Sequence, residues 1–381
     1  MAKPGHDKPI DMNPKRALAA LRLSLAGGEV IRPEALLPSK PVSEALACDA
    51  ARALAQSHYE NFSVLSQLVP ADLVDDFAAA YAFCRWADDL ADETGADDDA
   101  RQLSLDLLAW WRTQTDACFD YAQRKPGADA PKHPVFIALA ATAQRRSLPS
   151  EPFHDLINAF EQDQRVTRYA TWTQLLDYCK GSANPVGRIV LALAGHTGDA
   201  PGDDARFAMS DATCTALQLT NFWQDVRRDL AERDRIYMPS DLTGVTADTL
   251  RDWLARPTDP AARVPFIKAL RPLVERTHAL FDAGADLPKR VDPCIAPVVW
   301  LFGAGGRSAL RAVERTGCTT LWNRPRLSHG AKIALVGSAW TRARFGRAKH
   351  SAAPTMADSD LVRSAAAEAS DAATTTPEVA A

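Results

Sequence analysis

Two aspartates stand one helical turn apart within the stretch from Gln218 to Asp229. At about 100° per residue, Asn221, Asp225 and Asp229 fall on one arc of about 80°. Gln218 lies within the same arc. Carboxylates at this spacing repel each other, so the pattern calls for a positive group between them. A hard divalent cation bound through carboxylate oxygens, with phosphate as a further ligand, fits these residue types.

A second stretch, from Tyr81 to Glu93, repeats the pattern with Asp88 and Asp92, and Arg85 lies one turn before them. A single pair of this kind is usually a solvated helix face, but its repetition favours a shared function. We expect the two helices to face each other across a bundle core. Their four carboxylates can then hold two or three Mg²⁺ ions, and the ions a diphosphate.

Diphosphate bound to Mg²⁺ is a good leaving group, because the metal neutralises the charge that develops on its oxygens. An allylic or cyclopropylcarbinyl diphosphate would then ionise to a carbocation, which aromatic faces in a dry cavity stabilise. The aromatic residues near the motifs are Phe62, Tyr81, Phe83, Phe222 and Tyr237. For each of them, ordinary core packing is the alternative interpretation.

Helical spacing recurs along most of the chain, and alternating β-branched runs are missing. We therefore predict an all-α helical bundle with a central active-site cavity, spanning residues 43–345. Residues 1–42 are predicted to be a flexible leader with a short helix at 15–26, and residues 346–381 a disordered tail. Pro185 is predicted to kink a helix, freeing backbone carbonyls inside the fold.

The 381 residues carry 44 basic and 48 acidic side chains, and this mild balance gives no reason to expect a nucleic-acid partner. The seven single cysteines indicate reduced thiols in a cytoplasmic protein. No apolar run is long enough to span a membrane. Residues 331–350 mix basic and apolar side chains, which is typical both of peripheral contact with the inner membrane and of a solvated last helix.

The motifs resemble the two aspartate-rich signatures of the squalene/phytoene synthase family. They read Tyr81-Ala-Phe-Cys-Arg-x-x-Asp88-Asp-x-x-Asp92 and Gln218-x-x-Asn221-x-x-x-Asp225-x-x-x-Asp229, followed by Arg235-Ile-Tyr237. The resemblance covers about residues 50–335, and it implies the isoprenoid synthase fold and Mg²⁺-dependent chemistry on prenyl diphosphates. It assigns metal binding to Asp88, Asp92, Asn221, Asp225 and Asp229. It also implies diphosphate contacts from Arg85 and Arg235 and places Gln218 in the lining of the site. Phe62 and Phe222, as aromatic residues near the motifs, are further candidates for substrate contact.

Two segments are similar to the bacterial hydroxysqualene synthase branch of that family, which belongs to the hopanoid pathway. They are His58-Tyr-Glu-Asn-Phe62 and the segment from Tyr178 to Gly187. This branch implies a carbon–oxygen lyase that converts presqualene diphosphate and water to hydroxysqualene and diphosphate, without NADPH. Tyr81 and Tyr237 are then candidate catalytic residues, and Asn184 is a candidate for orienting the water. A local cap or turn is the equal alternative for Asn184.

Two other functions stay open at this stage. The first keeps the fold and changes the step: a presqualene diphosphate, squalene or phytoene synthase, which joins two prenyl diphosphates head to head. The second is a non-catalytic assembly protein on the same fold, which predicts degraded aspartate motifs, and both motifs are intact. In the hydroxysqualene interpretation, a partner synthase supplies the substrate and a dehydroxylase consumes the product.

Overall fold

The computed structural model describes residues 10–26, 33–58, 68–95 and 97–345. The chain divides into two compact units, residues 1–164 and 165–381. The regular elements of the described residues are helices, apart from one isolated bridge between Arg168 and Ile236. The predicted all-α class is therefore confirmed.

The first unit contains six described α-helices. They are α1 (Pro14–Ala26), α2 (Glu44–His58), α3 (Ala71–Asp92), α4 (Asp98–Ala122), α5 (Pro134–Arg146) and α6 (Glu151–Asp163). Helix α3 lies against all five others and is the central element of this unit. Side chains cap two of its neighbours: Asp97 accepts the Ala100 N–H at the start of α4, and His133 accepts the Val135 N–H at the start of α5.

The helix predicted near residues 15–26 is present as α1, and it packs against α3. Leu18 and Leu21 are buried, and the Trp86 indole N–H donates to the Met12 carbonyl at 3.1 Å. Lys15 binds Glu93 at 2.5 Å. The described residues 10–26 of the predicted leader therefore contribute to the core of the first unit.

Aromatic rings fill that core behind α3. Trp86 stacks on Trp111 with a centroid distance of 5.7 Å, and the edge of His133 meets Trp86 at 4.6 Å. Burial lowers the pKa of His133 to about 3, so this imidazole is neutral at physiological pH.

The second unit contains eight described α-helices. They are α7 (Trp172–Ser182), α8 (Asn184–Leu193), α9 (Asp203–Arg233), α10 (Ser240–Thr243), α11 (Ala247–Ala255), α12 (Pro260–Ala283), α13 (Ala296–Arg315) and α14 (His329–Phe345). Helix α9, with 31 residues, lies against α7, α8, α12 and α13. It is therefore the central element of this unit, as α3 is of the first.

The sequence predicted that Pro185 kinks a helix, and this prediction is wrong. The chain breaks at Ala183, whose φ and ψ are −124° and −48°, and Pro185 lies in the first turn of α8. A first-turn proline loses no helical hydrogen bond, because its N–H would have no partner there. The Ala183 carbonyl accepts the Val186 N–H at 3.1 Å and is thus not released into the fold.

Helix α13 runs without interruption through Gly303, Gly305 and Gly306. A Cβ on Gly306 would lie 2.4 Å from Leu217 and 2.6 Å from Phe281. This glycine allows close helix packing rather than ending a helix. Among the described residues, no helix is both long enough and apolar enough to cross a bilayer.

Candidate functional site

A buried tryptophan fixes the orientation of α9. Trp223 is fully buried, and its indole N–H donates to the Thr277 hydroxyl of α12 at 2.8 Å. Asp225 follows two residues later, which is about 200° around the helix. The tryptophan therefore anchors one side of α9 while the aspartate projects from the other.

Asp225 is bound by two arginines. Both of its carboxylate oxygens accept from the Arg324 guanidinium, and the Nη2–Oδ2 distance is 3.0 Å. Arg228 approaches the same carboxylate to 3.3 Å. The Asp225 side chain is only 8% exposed, so these cations offset most of the cost of burying its charge.

Asp229 lies one turn further along and is also buried. Burial raises its pKa to about 7, with a further contribution from Asp225, while nearby arginines oppose the shift. Asp234, at φ 47°, ends α9 in the left-handed conformation, and the Arg235 N–H returns to the Asp229 carbonyl at 2.9 Å. This turn brings buried Arg235 beside Asp229, and both line one small pocket.

Four aromatic rings cluster next to this pocket. Phe222 and Tyr237 stack with centroids 3.6 Å apart and planes 5° from parallel. Tyr169 and Tyr178 lie 5.6 Å and 5.9 Å from the Tyr237 ring. The Ile236 N–H donates to the Thr167 carbonyl at 2.9 Å, so main-chain pairing places Tyr169 next to Tyr237. The structure thus brings together Phe222 and Tyr237, two of the aromatic residues that the sequence singled out.

Asn184 opens α8 and is buried against α9. Its side-chain oxygen accepts the Thr215 hydroxyl at 2.9 Å. Thr215, Phe222 and Asp229 are spaced by seven residues, and they form one buried stripe along α9 with about 10 Å between successive members. The stripe therefore carries, in order, an amide, an aromatic stack and a carboxylate.

The remaining predicted residues of α9 are less enclosed. Gln218 is half-buried, and Asn221, one turn before Asp225, is exposed. The helix predicted for the whole motif is confirmed. Along its polar arc, the side chains change from exposed at Asn221 to buried at Asp229 within two turns.

In α3, the motif arginine binds the aspartate between the two motif positions. Arg85 donates to both oxygens of Asp89, with an Nε–Oδ2 distance of 2.9 Å, and it reaches Asp88 at 3.6 Å. Asp89 is 1% exposed, whereas the Asp88 side chain is 43% exposed. Burial alone would lower the pKa of Arg85, but Asp89 and Asp88 outweigh it and raise that pKa.

Trp86 anchors α3 as Trp223 anchors α9, since each tryptophan comes two residues before the first aspartate of its motif. The predicted site residues of α3 share a half-buried stripe, formed by Tyr81, Arg85, Asp88 and Asp92. Both helices thus place a tryptophan on the side opposite their carboxylates, but the carboxylate side is half-buried in α3 and buried in α9.

The donor sets fit a hard cation. Carboxylate oxygens are the ligands that Mg²⁺ takes in proteins, and each motif supplies two one turn apart. Asp88 and Asp92 belong to the first unit and Asp225 and Asp229 to the second, so their joint action stays a prediction. Within the described ranges, no group of three or more His, Cys, Asp or Glu side chains is arranged as a metal site. Phe62 lies outside the described residues.

Two features of the site carry no clear signal in the sequence, whereas a third could have been expected. Arg324 follows α13 by nine residues, in a loop without a motif. Tyr169 joins the aromatic cluster next to a main-chain bridge that no local pattern indicates, and Tyr178 joins it from α7. The pairing of Arg85 with Asp89 could have been expected from the i,i+4 spacing alone.

The comparisons with known proteins agree with this architecture. The squalene/phytoene synthase family matches residues 55–331. Hydroxysqualene synthase from Rhodopseudomonas palustris is 29% identical over 232 residues, covering 61% of this chain and 71% of the relative. Phytoene synthase from Thermus thermophilus is 30% identical over 296 residues, covering 76% and 91%.

Solved structures show the same fold. Squalene synthase HpnC from Alicyclobacillus acidocaldarius is 39% identical, with a TM-score of 0.61 over 75% of this chain and 98% of the other. A dehydrosqualene synthase is 19% identical, with a TM-score of 0.61 over 79% and 98%. With the family match and both aspartate motifs intact, the chain belongs to the squalene/phytoene synthase family and has the helical isoprenoid synthase fold.

Proposed function

We propose that the protein is a hydroxysqualene synthase, which converts presqualene diphosphate and water to hydroxysqualene and diphosphate with Mg²⁺. The buried stripe of α9 carries this proposal. It aligns a leaving-group end at Asp229, an aromatic stack at Phe222 and Tyr237, and a polar amide at Asn184. Ionisation followed by water capture needs these three functions along one substrate.

Each residue has a separate task in this proposal. Asp225 and Asp229, with Asn221, would hold Mg²⁺ in the second unit, and Asp88 and Asp92 in the first. When bound, Mg²⁺ supplies the positive charge that lowers the free-energy cost of diphosphate departure. Arg85 and Arg235 would contact diphosphate oxygens, and Gln218 would line the site. Charge-assisted hydrogen bonds of this kind are strong in a site that excludes water.

The cation is proposed to lie beside the aromatic residues. The face of an aromatic ring attracts positive charge, and the Phe222–Tyr237 stack is nearly fully enclosed. Tyr81 would contribute from α3. Asn184 is fixed by Thr215, so its amide can hold one water in a constant orientation. That water forms the new C–O bond and loses a proton as the alcohol is made.

The alternative is a presqualene diphosphate, squalene or phytoene synthase, which joins two prenyl diphosphates head to head. The similarity to phytoene synthase from Thermus thermophilus and to squalene synthase HpnC supports it. The relatives named hydroxysqualene synthase, at 29–34% identity, favour the water-adding reaction. A non-catalytic assembly role is disfavoured, because both carboxylate pairs are retained.

Product analysis separates these functions. The purified full chain is incubated with presqualene diphosphate and Mg²⁺ in H₂¹⁸O, without NADPH. We expect hydroxysqualene with ¹⁸O in its hydroxyl group, and none when EDTA removes the metal. A parallel incubation supplies farnesyl diphosphate alone. If it gives condensation products while presqualene diphosphate gives no alcohol, the condensing function replaces the proposal.

A variant of Asn184 tests the water-orienting role. Asn184→Leu is expected to shift product from the alcohol to olefins, while total diphosphate release falls less than about tenfold. Thr215→Val, which removes the hydroxyl that holds Asn184, should shift the same ratio in the same direction but less. An unchanged alcohol fraction in both variants would leave Asn184 as a structural residue.

Peripheral contact with an anionic bilayer is part of the same proposal, through α14. Ile333 and Trp340 are 71% and 48% exposed and lie seven residues apart, on one side of the helix. Lys332, Arg342 and Arg344 add positive charge. An apolar stripe with flanking cations is suited to the headgroup region of anionic lipid.

Vesicle flotation tests this contact. We expect the full chain to float with vesicles that contain anionic lipid, and a chain cut before Ala331 to remain at the bottom. The paired substitutions Ile333→Ser and Trp340→Ser should reproduce the loss. Val264→Ser, at another exposed apolar position, serves as the control. Equal flotation of all proteins would remove α14 as the contact.

A further inference from the structure

The bond between Arg324 and Asp225 is made across 99 residues of sequence, between a loop and the second aspartate motif. It is bidentate, and it engages both oxygens of a carboxylate that is 8% exposed. The Arg324 side chain is itself 49% exposed, so the cation reaches the buried carboxylate from the solvent side.

The loop that carries Arg324 is anchored on both sides of it. Before it, Leu321 is fully buried, and Trp322 packs against Phe266 at 5.3 Å while its indole N–H donates to the Trp253 carbonyl at 3.2 Å. After it, the Pro325 carbonyl accepts from the Gln224 side chain at 3.3 Å. The main chain therefore presents Arg324 to α9, and only the side chain needs to move for Asp225 to be released.

Charge explains why Asp225 has this partner. Asp225 and Asp229 are carboxylates one turn apart and both are buried, so together they would repel strongly without a cation. Arg228 makes no bidentate contact: it lies 3.3 Å from Asp225 and 3.8 Å from Asp229, and its side chain is 46% exposed. Arg324 is the cation with bidentate geometry, which is the stronger kind of pairing.

A divalent cation and a guanidinium cannot use Asp225 equally well at the same time. Both need the same two oxygens, and a +2 ion in contact with them would repel the arginine. We propose that Arg324 is a competing counter-ion at Asp225 and sets the affinity of the second motif for Mg²⁺. Metal binding then requires that Arg324 leave the carboxylate and turn into solvent.

This inference rests on the proposed function, because it takes Asp225 to be a metal ligand. Competition by Arg324 predicts an effect on metal affinity that the proposed function alone does not predict. Removing a positive side chain from the site should strengthen metal binding, although most substitutions at a binding site weaken it. The half-exposed position of Arg324 makes its release inexpensive, so the competition can be overcome at millimolar Mg²⁺.

The test measures metal binding directly. Mg²⁺ binding by the full-length protein is followed by isothermal titration calorimetry, and Mn²⁺ binding by electron paramagnetic resonance. We expect Arg324→Met to tighten binding up to about fivefold, since metal binding no longer has to break a half-exposed, charge-assisted pair. Arg324→Lys should fall between this variant and the parent protein. Arg326→Met, at an exposed arginine two residues away, is the control.

Thermal unfolding provides a second measurement. Arg324→Met should unfold at a lower temperature than the parent protein in EDTA, and it should gain more from added Mg²⁺. Unchanged or weaker metal binding by Arg324→Met would overturn the inference. Asp225→Asn separates this result from a failure of the proposed function: if that variant binds Mg²⁺ as the parent does, Asp225 is not a ligand. If it loses binding while Arg324→Met is neutral, only the competition is wrong.

Discussion

The aspartate helices α3 and α9 differ in which carboxylate their arginine binds. In α3, Arg85 binds Asp89, which lies between the motif positions, and Asp88 stays 43% exposed. In α9, Arg324 binds Asp225, a motif residue that is almost completely buried. The same spacing of aspartates is thus placed in two different electrostatic environments.

A local contact places the arginine in α3, whereas a contact between distant segments places it beside α9. Arg85 and Asp89 are four residues apart on one helix, so the pairing is built into α3 before any tertiary contact forms. The pairing of Arg324 with Asp225 exists only when the loop after α13 is folded against α9. We therefore expect the arrangement of the carboxylates in the first motif to be set within α3. The arrangement in the second motif should depend on contacts elsewhere in its unit.

Removal of one carboxylate from each motif gives the largest expected effect. Asp88→Asn and Asp225→Asn should each lower kcat/KM about 10³-fold with Mg²⁺, because each removes a proposed metal ligand. Helicity by circular dichroism should be unchanged. Asp116→Asn, at an exposed aspartate of α4, should retain full activity. Full activity in one motif variant alone would confine the metal chemistry to the other helix.

The arginines should differ in their effect on stability. Arg85→Met leaves Asp89, 1% exposed, without its bidentate partner, and we expect a loss of about 3 kcal/mol in the free energy of unfolding. Arg324→Met should cost less than about 1 kcal/mol, because this arginine is half-exposed.

Urea denaturation of the two variants measures the contrast. The double variant Arg85→Met with Asp89→Asn should recover much of the loss, since it removes the buried charge as well. Similar losses for Arg85→Met and Arg324→Met would show that burial of the carboxylate, rather than exposure of the arginine, controls the cost.

The fold was predictable because the helices have strong periodicity. Leu73, Phe77 and Leu90 have helical spacing, and all three lie in α3. Serine is a residue type that favours helix starts, and the Ser43 hydroxyl accepts the Leu46 N–H at 3.3 Å just before α2. The prediction was wrong at Pro185, which lies in the first turn of α8 instead of kinking a helix. Gly306 lies within α13, where its lack of a side chain allows close packing against Leu217 and Phe281.

The site was predictable only as far as single helices determine it. The arc of Asp225 and Asp229 and the stack of Phe222 on Tyr237 follow from the motif and the turn after it. Arg324 does not, because its contact joins segments 99 residues apart and depends on how the loop is anchored. The burial that raises the pKa of Asp229 to about 7 is likewise a property of the packed unit.

The contacts that hold Trp86 of α3 and Trp223 of α9 should respond differently to acid. Trp86 of α3 packs on His133, whose pKa is lowered by burial from 6.5 to about 3. Below pH 6.5 the unfolded chain gains a proton that the folded chain does not, so stability is full above this pH and is lost as the pH falls toward 3. At pH 5 we expect a loss of about 2 kcal/mol from this residue.

Hydrogen exchange at pH 6.5 and pH 5, corrected for the intrinsic rates, measures this loss helix by helix. Amides of α3 should lose protection more than those of α9, whose Trp223 is held by a threonine that does not titrate. His133→Asn retains an acceptor for the Val135 N–H and should reduce the dependence on pH. Equal loss in α3 and α9 would mean that His133 does not control the acid response.

The smallest expected effect concerns the anchor of α9. Thr277→Val keeps the shape of the side chain but removes the acceptor of the Trp223 N–H, which is then buried without a partner. We expect a loss of about 1–2 kcal/mol in the free energy of unfolding, and Thr277→Ser should retain the bond. The corresponding bond in α3 ends on the main-chain carbonyl of Met12, so no side-chain substitution can remove that acceptor.

Because Trp223 is on the side of α9 opposite Asp225, a looser anchor should also loosen the second motif and not the first. Binding of Mn²⁺ to Thr277→Val, followed by electron paramagnetic resonance, should therefore weaken by a few-fold in parallel with the stability loss. Normal binding in a clearly destabilised Thr277→Val would show that the contact between Arg324 and Asp225, rather than the tryptophan anchor, fixes the carboxylates of α9.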